Sequence, residues 1–260
     1  MSYNDPMEIK RFFVEKGRDL SIGDRTIVSG EEFTHAVKVS RYKVGYKLIL
    51  SNGDGKDYFC TVTEIGKDFF TCSVDSVQQN ENELKKPLIL YLCAIERSDL
   101  AVQKATEVGV SEIRLMISRF TNAKNQNLER LRKIALESAK QCGRAVVPEI
   151  YPPVPFEEAM NDAATRADQT IFCYENATGD HIKDVMDKKA SSYAIVIGSE
   201  GGFAEEEVRL AVRLGAKVVT LGRRILRAET ACIAGLVLLA DEAERNENSG
   251  NYHRMQSQSM

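Results

Sequence analysis

The chain has 260 residues, 43% of them hydrophobic, which is enough for a sizeable core and for two domains. Its net charge of −3 excludes a globally basic nucleic-acid-binding protein, so any RNA contact must come from a local patch. Six cysteines and three histidines lack the spacing of a zinc site, and we expect no metal. The first residues, MSYNDPMEIKRFF, contain no signal-like apolar segment, and no apolar run approaches the ~20 residues of a membrane span. We therefore expect a cytoplasmic protein with no membrane partner.

Residues 1–77 carry the pattern of a small β-barrel-like domain. Short apolar runs (RFFVEK, RTIVSG, YKLILSN, DYFCTVTEI and DFFTCSVDSV) are separated by turn residues. Residues 31–42 are predicted to interrupt these strands with a helix. The polar segment 78–86, QQNENELKK, has no apolar periodicity and is predicted to be a linker.

From residue 87 to residue 244, predicted strands alternate with predicted helices. The strands read LILYLCAI, EIRLMIS, QTIFCYE, YAIVIG and KVVTLG, and the helices include residues 98–108 and 127–144. This alternation predicts an α/β domain with a largely parallel sheet, whose ligands lie beyond the carboxyl ends of the strands. The segment 245–260 is polar, has no core to join and is expected to fray.

The first strand end that runs into a helix is the glycine turn, GSEGGF, at residues 198–203. Its glycine spacing differs from the dinucleotide fingerprint, it lacks the Lys-Ser/Thr of a P-loop, and a glutamate stands where a nucleophile elbow has serine. Glu200 and the acidic start of the next helix would repel a phosphate. A ligand of neutral or cationic character, such as S-adenosylmethionine, fits better. The alternative is a tight turn that binds nothing.

The second such strand end, TLGRRILRAETA at residues 220–231, is rich in arginine. Arg223, Arg224 and Arg227 lie within five residues, before a helix that is apolar nearly all round and is predicted to be buried. The arginines either contact a cofactor and RNA phosphate or are simply solvated or salt-bridged. Residues 119–144 add seven basic residues, Lys124 among them, and two acidic ones. This bias predicts either a track for RNA phosphates or an ordinary solvated helix face.

Together, GSEGGF and LGRRILRAETA resemble the paired cofactor loops of the RsmE-type 16S rRNA (uracil-N3)-methyltransferases of the SPOUT superfamily. KATEVGV and AKQCGR match two further motifs of that family in order, and RFF with His35 and Arg41 match its PUA-like N-terminal domain. The resemblance spans roughly residues 7–244. Two positions depart from it: the family usually has proline where Ser199 stands and commonly glutamate where Lys140 stands.

This resemblance implies a C-terminal SPOUT trefoil-knot domain with a parallel sheet, joined to a small N-terminal PUA-like β-barrel domain. The domains would span residues 1–77 and 87–244, with a linker at 78–86 and a polar tail at 245–260. It also implies a homodimer with sites built from both subunits. S-adenosylmethionine would be the cofactor, and 16S rRNA or the assembled small ribosomal subunit the partner.

The resemblance also assigns roles to individual residues. The cofactor-binding set would be Tyr174, Gly198, Glu200, Gly201, Gly202, Leu221, Gly222, Ile225, Leu226, Arg227 and Thr230. The substrate-binding set would be Arg11, His35, Arg41, Arg130, Lys133, Arg144 and Arg224, of which Arg130, Lys133 and Arg224 rest on the basic helix and the arginine-rich loop rather than on the resemblance. The candidate catalytic residues are Arg227, which would stabilise negative charge developing on the uracil oxygens, and Glu229, as a base or as the structural partner of an arginine.

The implied reaction is methyl transfer to N3 of an unpaired uridine, because N3 lies on the base-pairing edge. Two alternatives stay open. One is a SPOUT methyltransferase that acts at another RNA position, such as a ribose 2′-OH or guanine N1. The other is a non-catalytic RNA-binding module, which would need the basic track but not both loops.

Overall fold

The computed structural model describes residues 9–122 and 125–257, with side chains described through residue 245. The chain divides into two compact units. The N-terminal unit takes in the chain up to Glu83 together with Ala139–Val147, and the C-terminal unit comprises Leu84–Ser138 and the chain from Pro148 onward.

The N-terminal unit is built on a five-stranded sheet with the order β1-β3-β4-β5-β2. Its strands are β1 (Arg11–Phe13), β2 (Arg25–Ser29), β3 (Lys47–Ser51), β4 (Lys56–Ile65) and β5 (Phe69–Gln79). Alternate residues of β4 face a core that also contains Phe12, Leu48 and Phe70, so the period-two pattern predicts these strands correctly. The helix predicted over residues 31–42 is shorter and is split into α1 (Gly30–Phe33) and a π-helical segment, Thr34–Val39.

The segment Ala139–Val147, here called the clasp segment, is fastened to the polar residues that follow β5. Asn80 and Asn82 each donate a side-chain hydrogen bond of 3.0 Å to the Gly143 carbonyl. Glu83 Oε1 accepts the backbone N–H groups of Ala145 and Val146 at 3.0 and 2.9 Å. The first two residues of the predicted linker, Gln78 and Gln79, belong to strand β5. The linker residues Asn80, Asn82 and Glu83 use their side chains to bind the backbone of the clasp segment.

The C-terminal unit contains an all-parallel six-stranded sheet with the order β11-β9-β10-β6-β7-β8, as the alternating pattern predicts. Its strands are β6 (Leu88–Cys93), β7 (Glu112–Ile117), β8 (Glu149–Pro155), β9 (Gln169–Cys173), β10 (Tyr193–Ile197) and β11 (Lys217–Val219). Every residue of β6, β9 and β10 is buried, which explains their unbroken apolar runs. The proline-rich β8 occupies a sheet edge, where missing N–H donors are tolerated.

The helices of this unit are α2 (Ser98–Val108), α3 (Leu128–Cys142), α4 (Phe156–Arg166), α5 (Ile182–Val185), α6 (Glu205–Arg213) and α7 (Ala228–Ser257), of which the last turn of α3 belongs to the clasp segment. Among the described helices, none is both long and apolar enough to cross a membrane. The trefoil knot implied by the resemblance stays a prediction.

The long helix α7 departs from its prediction in two ways. Cys232, Leu236 and Leu239 are fully buried, but Val237 and Leu238 are 49% and 50% exposed, so the predicted all-round burial is wrong on one side. The backbone also stays helical to Ser257, where the sequence predicts a frayed tail. Gly235 lets the helix approach β10, because a Cβ at that position would lie 2.8 Å from Ile195 Cδ1.

Candidate functional site

The carboxyl ends of three neighbouring parallel strands, β11, β9 and β10, meet at one edge of the C-terminal sheet. The loops that leave them enclose a cavity of about 230 Å³, here called the inner cavity. Such a position is where parallel α/β sheets bind ligands. The inner cavity is lined by Cys173, Tyr174, Glu175, Ile197, Gly198, Ser199, Glu200, Gly201, Gly202, Thr220, Leu221, Gly222, Arg224, Ile225, Leu226, Ala228 and Ala231.

Most of the predicted cofactor-binding residues lie in this wall. Those present are Tyr174, Gly198, Glu200, Gly201, Gly202, Leu221, Gly222, Ile225 and Leu226. Arg227 and Thr230 are exposed and are not among the lining residues. Arg224, predicted to bind substrate, does line the cavity.

The glycine turn is fixed by contacts within the protein. The Gly202 N–H donates to the Ser199 carbonyl at 2.9 Å, and the Ser199 hydroxyl donates to the Phe120 carbonyl at 3.2 Å. A Cβ on Gly201 would lie 2.6 Å from Phe120 Cβ, and a Cβ on Gly202 would overlap a carboxylate oxygen of Glu175. Gly201 is therefore required by close packing against Phe120, and Gly202 by its left-handed φ of +69°. Ser199 anchors the turn where the resemblance leads us to expect proline.

The carboxylates at the start of α6 are bound by other groups of the protein. Glu207 accepts the backbone N–H groups of Arg119 and Ala204 at 2.8 and 2.9 Å. Glu206 forms an ion pair with Arg119, and its pKa is lowered by its backbone N–H at the helix start and by that guanidinium. Glu200, which does line the cavity, accepts the Glu96 N–H at 3.2 Å. These carboxylates hold the turn in place and leave its cavity face without a phosphate-binding charge.

Sequence reasoning missed Glu175 and Cys173. Glu175 is exposed, lines the inner cavity and lies against Gly202. The sequence could have indicated this residue, because Glu175 directly follows Tyr174 at the same strand end. Cys173 is a neutral part of the wall, since burial raises the pKa of its thiol to about 12.

A second cavity, here called the outer cavity, has a volume of about 610 Å³. It is lined by Glu175, Asn176, Ala177, Thr178, Gly179, His181, Thr220, Gly222 and Arg223. Glu175, Thr220 and Gly222 belong to the walls of both cavities. The two spaces are therefore neighbours at the same strand ends.

The three arginines of residues 220–227 are here called the rim arginines: Arg223, Arg224 and Arg227. All three are exposed, and none of their guanidinium groups makes a hydrogen bond or an ion pair with any residue that the structure describes. The salt-bridged interpretation of this loop is therefore excluded for the described conformation. Arg224 lines the inner cavity and Arg223 the outer one, while Arg227 follows the lining residue Leu226 along the chain.

Comparison with known proteins identifies the family. Residues 80–240 match the model of an RNA methyltransferase domain, and residues 28–75 match that of an RNA methyltransferase PUA domain. Curated relatives are named "Ribosomal RNA small subunit methyltransferase E". The relative from Mesomycoplasma hyopneumoniae is 32% identical over 62% of this chain and 71% of its own length. The relative from Aquifex aeolicus is 30% identical over 72% of this chain and 82% of its own.

This chain belongs to the ribosomal RNA small subunit methyltransferase E family. Solved structures agree with that membership. A putative methyltransferase from Legionella pneumophila, in complex with S-adenosylmethionine, is 27% identical with a TM-score of 0.80, over 90% of this chain and 98% of that one. The family member from Neisseria gonorrhoeae, bound to S-adenosylmethionine, is 25% identical with a TM-score of 0.80, over 89% and 96%. The resemblance seen in the sequence and the PUA-like and α/β fold classes are confirmed.

The two candidate catalytic residues of the family loop are placed differently from each other. Arg227 is exposed and immediately precedes α7. Glu229 lies in the first turn of α7, is only 8% exposed and is not among the residues lining either cavity. This burial favours the structural role that the sequence left open for Glu229.

Two predicted substrate-binding residues are buried in ion pairs. Arg11 is 7% exposed and forms hydrogen bonds with both carboxylate oxygens of Asp57, at 2.5 and 2.9 Å. Arg144 is 2% exposed, and its Nε and Nη2 donate to Glu83 at 3.0 and 2.8 Å. A guanidinium enclosed in this way favours a structural role over contact with an RNA phosphate, and binding of RNA by Arg11 and Arg144 stays a prediction.

The other predicted substrate-binding residues keep accessible surface. His35 lies in the π-helical segment with its ring centroid 5.9 Å from that of Phe12. Arg41 is exposed and has a left-handed φ of 56°. Arg130 is exposed, with a 3.4 Å ion pair to Asp99, and Lys133 is exposed.

Lys124, one of the basic residues counted in the sequence, lies outside the described residues. The remaining expectation is that the protein has no metal site. Within residues 9–122 and 125–245, whose side chains the structure describes, no group of three His, Cys, Asp or Glu side chains is placed to hold a metal ion.

Proposed function

We propose that this protein transfers a methyl group from S-adenosylmethionine to N3 of a uridine in 16S rRNA of the small ribosomal subunit, in the cytoplasm. The observation that carries the proposal is the inner cavity, which the glycine turn and the loop after β11 build together at three adjacent strand ends. The printed names of the family members and the cofactor in two solved relatives support it.

The inner cavity suits the cofactor by its chemistry. Its walls combine glycine backbone with apolar groups such as Ile197 and Leu226, and its carboxylates, Glu175 and Glu200, favour a cation over a phosphate. S-adenosylmethionine supplies an electrophilic methyl group on a positively charged sulfur and carries no phosphate. Tyr174, Gly198, Gly201, Gly202 and Leu221 would hold it.

The rim arginines suit an RNA substrate. They concentrate free positive charge beside the cavities in a chain whose net charge is −3. Guanidinium groups bind phosphate through paired hydrogen bonds, so such a rim would draw RNA to the cofactor. Arg227 would stabilise the negative charge that develops on the uracil oxygens as N3 loses its proton.

A homodimer is part of the proposal. Ile225 lines the inner cavity yet is 86% exposed, and Val237 and Leu238 expose about half of their surface on α7. Apolar surface of this kind beside a binding site is typical of a protein interface. A second copy would cover it and complete the cavity wall. Sedimentation of an active monomer at micromolar concentration would contradict this arrangement.

The test is nucleoside identification. Small ribosomal subunits that lack the modification are incubated with the protein and methyl-labelled S-adenosylmethionine, digested, and analysed by mass spectrometry. The expected product is 3-methyluridine. A 2′-O-methylated nucleoside or 1-methylguanosine would point to another target, and absence of S-adenosylmethionine binding in calorimetry would point to a non-catalytic RNA-binding module.

A further inference from the structure

The outer cavity has no role in the proposed function as stated so far, although it lies beside the inner one. We propose that the outer cavity receives the target base of the RNA, and that Glu175, which lines both cavities, accepts the proton that uracil N3 loses. This inference rests on the proposed function and adds to it a location for the substrate and a base for the reaction.

The walls of the outer cavity carry the groups that a nucleotide needs. Arg223, one of the rim arginines, offers a guanidinium for a backbone phosphate. Asn176 and Thr178 offer an amide and a hydroxyl, which can both donate to and accept from the edge of a pyrimidine. His181 adds a flat ring on which a base can stack. Its volume of about 610 Å³ falls within the range of pockets that bury small ligands.

Two glycines of the outer cavity wall leave its backbone uncovered. Gly179 and Gly222 have φ values of +115° and +112°, and no described atom lies within 4 Å of a Cβ built on either of them. A residue with a side chain would be strained at these φ values and would project into free space. The backbone on both sides of the cavity is therefore bare, which permits the close approach of a planar base.

Glu175 stands at the boundary of the two cavities. Among the lining residues described, it is the one carboxylate in both walls, whereas Glu200 lines the inner cavity alone. The charged and titratable groups around it are Glu200 and Arg224 in the inner wall, and Arg223 and His181 in the outer wall. A carboxylate in this place faces the base on one side and the methyl donor on the other. Glu229 is excluded as this base because its side chain is buried.

The proposed step balances without any additional reagent. The N3–H proton passes to a carboxylate oxygen of Glu175, and the nitrogen electron pair forms the bond to the methyl carbon. The bond between that carbon and sulfur breaks, and its electron pair stays on sulfur as a neutral thioether. Arg227, which is exposed and directly follows the lining residue Leu226, stabilises the charge on the uracil oxygens in the transition state.

The location is tested by photocrosslinking. Small ribosomal subunits carrying 4-thiouridine at the methylated position are irradiated with the wild-type protein, and the crosslinked peptides are identified by mass spectrometry. Crosslinks to residues 175–181 or 220–223 are expected. Crosslinks confined to α3 or to the N-terminal unit would overturn the location.

The role of Glu175 as the base is tested with a substrate whose N3–H is more acidic. Glu175→Gln is expected to lower kcat by about 100-fold at saturating S-adenosylmethionine, within the usual range for loss of a general base. A substrate with 5-fluorouridine at the target, whose N3–H is more acidic, should recover at least tenfold in the variant and change little with the wild type. Absence of that recovery would overturn the base assignment, because a structural role would not respond to the acidity of the substrate.

Two control variants complete the design. Glu200→Gln removes a carboxylate from the inner wall and should show no selective rescue by fluorine. Glu158→Gln, on an exposed position of α4, should leave turnover unchanged. Failure of the proposed function is distinguishable, since the wild type would then form no methyluridine at all, which would overturn both proposals together.

Discussion

Two groups of arginines in this protein have opposite environments. In the N-terminal unit, Arg11 and Arg144 are buried against Asp57 and Glu83 and hold the chain together. In the C-terminal unit, the rim arginines stand exposed beside two cavities. The residue type is the same, and what separates the roles is whether the fold places a carboxylate within reach. A sequence shows the arginine, but the carboxylate that decides its role lies elsewhere in the chain.

The largest effect should come from Arg227. Arg227→Ala should lower kcat by about 10²- to 10³-fold, because a charge developing in the transition state loses its stabilising partner. The affinity for S-adenosylmethionine and the salt dependence of RNA binding should stay unchanged. Methyl transfer to small subunits, measured across a salt series, provides the check, with Arg213→Ala on the exposed end of α6 as the control. A change in the salt slope alone would place Arg227 with the phosphate contacts.

The opposite result is expected for Arg144. Arg144→Ala should lower the free energy of unfolding by about 1–3 kcal/mol, because the partly buried Glu83 carboxylate loses its guanidinium and keeps only the backbone N–H groups of Ala145 and Val146. The matched control is Arg245→Ala, which breaks an exposed ion pair with Asp241 and should cost at most about 0.5 kcal/mol. Denaturant titration measures both. A fully stable Arg144→Ala variant with weakened RNA binding would keep Arg144 in the substrate-binding set.

The contribution of the glycine turn to cofactor binding in the inner cavity can be tested with two glycine variants. Gly202 and Gly215 have φ values of +69° and +89°, so alanine strains both backbones, but only at Gly202 would the new Cβ overlap a neighbour, Glu175. Gly202→Ala should therefore weaken S-adenosylmethionine binding by about tenfold or more, while Gly215→Ala should leave it unchanged. Isothermal titration decides between them. Equal affinities in the two variants would show that the glycine turn does not shape the cofactor site.

The smallest effects are expected for substitutions of two basic residues on α3. Arg130→Ala and Lys133→Ala should each flatten the dependence of log K on log salt by about one unit, as expected when one phosphate contact is lost. Both side chains are exposed, so stability and kcat at saturating RNA should change little. Filter binding to rRNA at several salt concentrations gives the slopes. Unchanged slopes would favour the solvated-face interpretation of this helix.

The sequence was sufficient for the elements and for much of the site. Residues 98–108 form the predicted helix, and buried strands such as β6 and β10 follow from their apolar runs. The clasp segment could not be predicted, because Asn80 reaches the Gly143 carbonyl across 63 residues and no periodicity encodes that contact. Glu175 follows the predicted Tyr174 directly, but its place between two cavities depends on which strand lies beside β9 and on the loops that leave both strands.

The clasp segment also bears on how this protein is made. The N-terminal unit is discontinuous along the chain: its first part ends at Glu83, and the rest arrives only at Val147. Since chains grow at roughly 5–20 residues per second, the ribosome needs about 3–13 s to supply the missing part. During that interval Asn80, Asn82 and Glu83 lack the backbone groups that they bind in the finished protein. Completion of the first unit therefore waits for synthesis of more than half of the whole chain.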